Sequence, residues 1–170
     1  MSKVHGREDI KPLIPNESYD EHYPEMQIKD SVILDLGSDY GSTAYYFLNK
    51  GAKRIFGVET NPIYVSQARK NNLADFYPII MDIDHKHKIE VLLFTIKPNV
   101  VKCDIEGAEV HLLDCDPKCL VIPIEWYIET HSMKLHADIK DKFVSIGYRI
   151  VRDFLYVPEI DVYVTQFRRD

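Results

Sequence analysis

No apolar stretch in this sequence is long. The run at residues 90–96, EVLLFTI, falls far short of the roughly 20 residues needed to cross a bilayer. The first ten residues also lack the apolar segment of a secretory signal, so a cytoplasmic protein is expected. Cysteine is scarce, with three in the chain. Cys115 and Cys119 are not paired as Cys-x-x-Cys, and the four-ligand set of a zinc site is missing, so the thiols read as reduced and structural. Basic charge is also in deficit: 21 Lys and Arg against 27 Asp and Glu give a net charge of -6 and a pI of about 5.6. Binding a phosphate backbone needs a basic face. Nucleic acid is therefore not an expected partner, and the small clusters Lys50, Lys53, Arg54 and Lys86, Lys88 read as solvated helix ends. Low-complexity tracts are absent, and 170 residues with 45% hydrophobic content fit one compact core but would crowd two.

What is present is an alternation. Residues 1–30 show little periodicity and read as an irregular arm, a potential lid that brings Tyr19 and Tyr23 toward a site. From Ser31 to the C-terminus a single domain is expected, because short apolar runs alternate with amphipathic stretches in the pattern of repeated strand–helix–strand units. Strands are expected near 31–36, 53–58, 76–81, 100–104 and 119–124. Helices are expected between them, and one near 132–146 stops at Gly147. The last two strand-like runs, 148–156 and 161–167, have only four residues between them. A parallel crossover needs about a dozen residues, so this pair must be antiparallel. The expected fold class is α/β, a Rossmann-like open sheet, mostly parallel, with a C-terminal antiparallel hairpin and helices on both faces.

In such sheets ligands bind beyond the carboxyl ends of the strands. Those ends read Asp35 and Gly37, then Glu59, Asp82, Asp104 with Glu106, and Glu125, so each presents an acid. The loop 35–41, DLGSDYG, lets a backbone approach a ligand closely, and the following helix can receive a carboxylate. Glu59, 24 residues after Asp35, stands where an acid accepts hydrogen bonds from both ribose hydroxyls. A nicotinamide dinucleotide would want Gly-x-Gly-x-x-Gly, but Asp39 and Ser42 fill the second and third glycine positions. A diphosphate would meet the Asp39 carboxylate. A sulfonium nucleoside, cationic at sulfur and at its ammonium, suits these acids, which favours S-adenosylmethionine.

The segments 32–41 (VILDLGSDYG), 56–62 (FGVETNP), 101–109 (VKCDIEGAE) and 147–150 (GYRI) resemble the successive motifs of the FkbM-type class I S-adenosylmethionine-dependent methyltransferases. Asp39 and Thr60 stand where that family usually has Asn and Pro. The resemblance implies a seven-stranded sheet whose last strand is antiparallel. It implies that Asp35, Gly37, Ser38 and Gly41 hold the methionine end of the cofactor, Glu59 the ribose and Asp82 the adenine amino group. Asp82 reads equally as a loop acid or helix cap.

Methyl transfer is an in-line displacement helped chiefly by holding acceptor and methyl group together. A hydroxyl acceptor also needs its proton removed, and Asp104, Glu106 and Glu125 are the candidate catalytic acids, with His131 a second candidate base. The same three acids form an oxygen-rich set of the kind that holds magnesium. Without a full ligand set, no metal is expected. Tyr19, Tyr23 and Trp126 are candidates to line an acceptor pocket. The acceptor read from the resemblance is a small-molecule or glycan hydroxyl. The alternatives are an RNA or protein methyltransferase of the same fold, although the Asp-Pro-Pro-Tyr type of motif is absent at 104–107, or a non-catalytic cofactor-binding partner subunit.

Overall fold

The computed structural model describes residues 19–170; the first part of the expected arm lies outside the described residues. Seven strands form one sheet: β1 (Val32–Leu36), β2 (Arg54–Glu59), β3 (Phe76–Ile80), β4 (Val100–Cys103), β5 (Glu125–Thr130), β6 (Arg149–Val157) and β7 (Val162–Arg168). Their order across the sheet is β3-β2-β1-β4-β5-β7-β6. The first five run parallel, and β7 is antiparallel to both β5 and β6. Strand order reverses between β1 and β4, so the switch point falls at the tips of β1, β2 and β4.

Local chemistry explains most boundaries. Helix α1 is a single turn, Tyr19–His22, and α2 (Ser42–Asn49) follows the glycine loop. Helix α3 (Pro62–Lys70) starts where the Asn61 side chain accepts the Ile63 amide at 3.0 Å, with Pro62 in the first turn. Helix α4 spans Lys86–Ile96, and the turns α5 (His111–Asp114) and α6 (Pro117–Leu120) precede β5. Helix α7 (Met133–Ser145) is capped by Ser132, which accepts the Leu135 amide at 3.2 Å.

Alternation along the strands divides the core. Leu34, Leu36, Val101, Trp126 and Ile128 pack with Leu93 of α4 and Phe143 of α7 on one face. Ile33, Ile55, Val100 and Tyr127 pack with Phe47 of α2 and Ala68 of α3 on the other. The described end of the arm joins this second core, since Tyr23, Met26 and Ile28 are buried there. Backbone carbonyls of Glu21 and Glu25 accept hydrogen bonds from Arg152 and Arg168, which ties the arm to the hairpin.

One strand departs from expectation. Residues 119–124 are not the fifth strand; Asp116 caps the α6 turn by accepting the Lys118 amide at 2.9 Å, and the apolar run after it is a packed connector. Pro123 has no N–H to give a ladder, which excludes it from a central strand. Strand β5 begins at Glu125, so this acid stands at the amino end of the strand and not at its carboxyl tip. Glu125 is wholly buried. It accepts hydrogen bonds from the Gln27 amide at 3.0 Å, from Arg168 at 3.2 Å and from Gln166. The structure thus removes Glu125 from the candidate catalytic set. Trp126 is also interior, donating to the Leu120 carbonyl at 3.1 Å, and lines no acceptor pocket. All three cysteines are free thiols.

Candidate active site

The tips of β1 and β4 touch at Gly37. Its φ is +78°, and a Cβ there would lie 1.7 Å from the Asp104 carbonyl oxygen, so only glycine fits. Gly41, at φ +87°, packs on Phe76, with a Cβ meeting the ring at 2.8 Å. Between them Asp39 adopts φ 48°, a left-handed conformation that a short acid tolerates better than most residues. The Gly37 and Ser38 amides both reach the Val58 carbonyl, at 2.9 and 3.0 Å, which fastens the loop to β2.

This loop forms one wall of a cleft of about 450 Å³, a size suited to a small-molecule ligand. Gly37, Asp39, Glu59, Asp82, Asp104 and Glu106 line it, together with Tyr64 and the apolar Val58, Met81 and Ile83. Both Glu59 oxygens are oriented by backbone amides, Oε1 by Asn61 at 2.8 Å and Oε2 by Asp39 at 3.2 Å. A carboxylate offers about four acceptor positions, so two stay free for ligand hydroxyls. Burial, and then the neighbouring Glu59 charge, push the Asp39 carboxyl up. The cleft wall is thus short of positive charge.

The structure separates the cofactor candidates into two groups. Gly37, Glu59 and Asp82 face the cleft, whereas Asp35, Ser38 and Gly41 support the loop from behind. Asp35 is fully buried, with Thr43 donating to its Oδ2 at 2.6 Å and Lys102 3.2 Å from its Oδ1. Burial raises the Asp35 carboxyl, and the ammonium of Lys102 opposes that rise. Lys102 Nζ also donates to the Gly37 carbonyl at 2.7 Å and lies 3.6 Å from Asp104 Oδ2. One buried lysine therefore joins the glycine loop, Asp35 and the acid at the tip of β4, and its own charged form is held by those two carboxylates against desolvation.

Sequence reasoning overlooked Lys102 and Glu129. The clue to the first was a lysine in an otherwise apolar strand, VVKC, between strand-end acids. Moving β5 places Glu129 near the strand's carboxyl end, close to the tip of β4. Burial, and then Asp104, push its carboxyl up to about 8. His131, just past β5, faces four acids: its Nε2 lies 3.5 Å from Glu106, 3.8 Å from Glu129 and 4.0 Å from Asp104, and its Nδ1 lies 3.7 Å from Glu109. Glu109 is fully buried and accepts the Ile105 and Gly107 amides at 2.7 and 2.9 Å. The basic clusters are unremarkable surface groups: Lys50 pairs with Asp20 at 2.6 Å and Lys88 with Asp84 at 2.7 Å.

Among solved structures the chain is similar to the fibrillarin pre-rRNA processing protein of Methanococcus jannaschii, with a TM-score of 0.69, 18% identity, and coverage of 99% of this chain and 86% of that one. It is also similar to the fibrillarin of Aeropyrum pernix, solved with natively bound S-adenosyl-L-methionine, with a TM-score of 0.62, 18% identity, and coverage of 84% and 69%. The fold is that of the class I methyltransferases. No family model matches the chain. Among curated proteins it is 31% identical over 90 residues to the uncharacterized protein 158B of Sulfolobus islandicus rod-shaped virus 1, a match over 53% of this chain and 56% of that protein. The match thus spans little more than half of that relative. No helix among the described residues is long and apolar enough to cross a membrane.

Proposed function

We propose that this protein is an S-adenosylmethionine-dependent methyltransferase of the FkbM type that methylates a hydroxyl of a small molecule or glycan. The observation that carries this reading is the Glu59 carboxylate, fixed by two amides and lining the same cleft as the bare Gly37. In this reading Glu59 takes the ribose hydroxyls. Gly37 allows the methionine end to lie against the loop, and Asp82 takes the adenine amino group. Asp39 and Asp104 lie toward the cationic ammonium and sulfonium. Asp35, Ser38 and Gly41 act on the cofactor through the shape of the loop.

The acceptor enters at the tips of β4 and β5. Its hydroxyl loses a proton to an acid of the Asp104, Glu106 and Glu129 group, and Glu129 takes the place expected of Glu125. The acceptor oxygen forms its bond to the methyl carbon as the carbon–sulfur bond breaks, and neutral S-adenosylhomocysteine leaves.

Denaturing the purified protein and identifying the released nucleoside by mass spectrometry tests the cofactor. S-adenosylmethionine or S-adenosylhomocysteine is expected, and a nicotinamide dinucleotide would overturn the reading. Transfer of labelled methyl to a cell extract tests the acceptor. Label resistant to nuclease and protease and held in hydroxyl-bearing metabolites or glycans is expected, whereas nuclease-sensitive label would assign an RNA acceptor.

A further inference from the structure

We infer that Asp104, Glu106 and His131 form a site for one divalent cation of the manganese or ferrous class at the acceptor side of the cleft. One ligand atom from each residue falls within a sphere where all lie less than 4.8 Å apart. The site is centred on a histidine. Nε2 of His131 makes no hydrogen bond to any of the three carboxylates in front of it, at 3.5 to 4.0 Å. Ligands about 2.2 Å from a shared ion at ordinary coordination angles lie roughly 3.0–3.7 Å apart. The His131–Glu106 separation falls within that range, and those to Glu129 and Asp104 lie just beyond it.

The far side of the ring supplies an independent observation. Nδ1 of His131 is shut off from solvent and has no hydrogen-bond partner, yet it faces the wholly buried Glu109 carboxylate at 3.7 Å. Glu109 is held there by two amides of its own loop. A ligating histidine almost always turns its second nitrogen toward a carboxylate or carbonyl that fixes its tautomer. Here the supporting acid stands behind the ring while Asp104 and Glu106 stand in front of it. Lys102, the nearby buried cation, is committed to Asp35, Asp104 and the Gly37 carbonyl, and makes no ion pair with Glu106 or Glu129. Two carboxylates and one imidazole, with room for water or an acceptor oxygen, match the preferences of Mn²⁺ and Fe²⁺ better than those of Ca²⁺ or of a structural zinc.

The test is calorimetric titration of Mn²⁺ into the full chain stripped with chelator and free of cofactor, for wild type, His131→Ala, Glu106→Gln and Asp82→Asn. Melting temperature is followed to confirm that each variant folds. One equivalent of Mn²⁺ is expected to bind wild type. His131→Ala and Glu106→Gln should weaken it at least tenfold, and Asp82→Asn, which also lines the cleft, should leave it unchanged. Wild type that binds no Mn²⁺, or His131→Ala that binds it like wild type, overturns the site. Competition between Mn²⁺ and S-adenosylmethionine for wild type also overturns it, by giving the acids to the cofactor's ammonium. A parallel cofactor titration keeps the two readings apart: metal bound without cofactor contradicts the proposed function alone, and cofactor bound without metal contradicts only this site.

Discussion

Glu125 and Glu129 lie on the same strand and the same face of the sheet, four residues apart, and their surroundings are opposite. Glu125, at the base, is wholly buried and met by Arg168, Gln166 and the Gln27 amide. Glu129, at the tip, has its carboxyl lifted to about 8 by burial and then by the charges of Asp104, Glu106 and Glu109. An acid that serves the fold has its charge met from within the chain. An acid that serves a site is left for a ligand to meet, and clusters of perturbed carboxylates are where function is sought. The same contrast separates the two ends of the sheet: at the amino end of β5 Arg168 ties down the arm through the Glu25 carbonyl, whereas the carboxyl ends of β1, β2 and β4 open into an acidic cleft.

That contrast breaks most sharply at Gly37. Gly37→Ala would drive a methyl group into the Asp104 carbonyl and force a left-handed alanine, so a loss of about 4 kcal/mol or more is expected, together with loss of cofactor binding. Chemical denaturation reads the first effect and calorimetry the second. Next comes the base of β5. Glu125→Ala strands the Arg168 guanidinium and should cost about 3–5 kcal/mol in urea unfolding while leaving cofactor affinity per folded molecule intact. Lys102→Met links the two regions. It leaves the buried Asp35 uncompensated, so a loss of about 3 kcal/mol is expected, and Asp35→Asn placed on top should recover part of it, because the two charges need each other.

The smallest effect is a pH dependence far from the cleft. His136, on α7, is held below the usual histidine range by burial, which outweighs the pull of Asp153 at 3.1 Å. A depressed histidine contributes stability that is complete above its unfolded value near 6.5 and is lost as pH falls toward its folded value. Glu129, raised by burial, contributes the opposite slope over the same range, so the His136 effect is read as a difference: thermal unfolding between pH 7.5 and 5 should show wild type losing stability relative to His136→Gln as pH falls.

Much of the fold was legible because its signals are local. The glycine loop after an apolar strand, Asn61 and Pro62 at a helix start, Ser132 before α7, and the four-residue gap before the last strand each act over a few residues. In the site, Glu59, Asp82, Asp104 and Glu106 were legible as strand-end acids, and all line one cleft. The errors share a cause. Residues 119–124 have a strand's composition, and only Pro123 and the Asp116 cap show that they connect rather than pair. That slip carried Glu125 to the wrong end of the sheet and hid Glu129. Lys102 lies 65 residues from the Gly37 carbonyl it holds, a contact that no local pattern encodes.

The central claim is that the cleft holds S-adenosylmethionine by the sugar at Glu59. Calorimetric titration of the cofactor into wild type, Glu59→Ala and Glu125→Gln tests it most directly. Binding by wild type, a loss of at least a hundredfold in Glu59→Ala and retention in folded Glu125→Gln is the predicted result. Equal affinity of wild type and Glu59→Ala would contradict it.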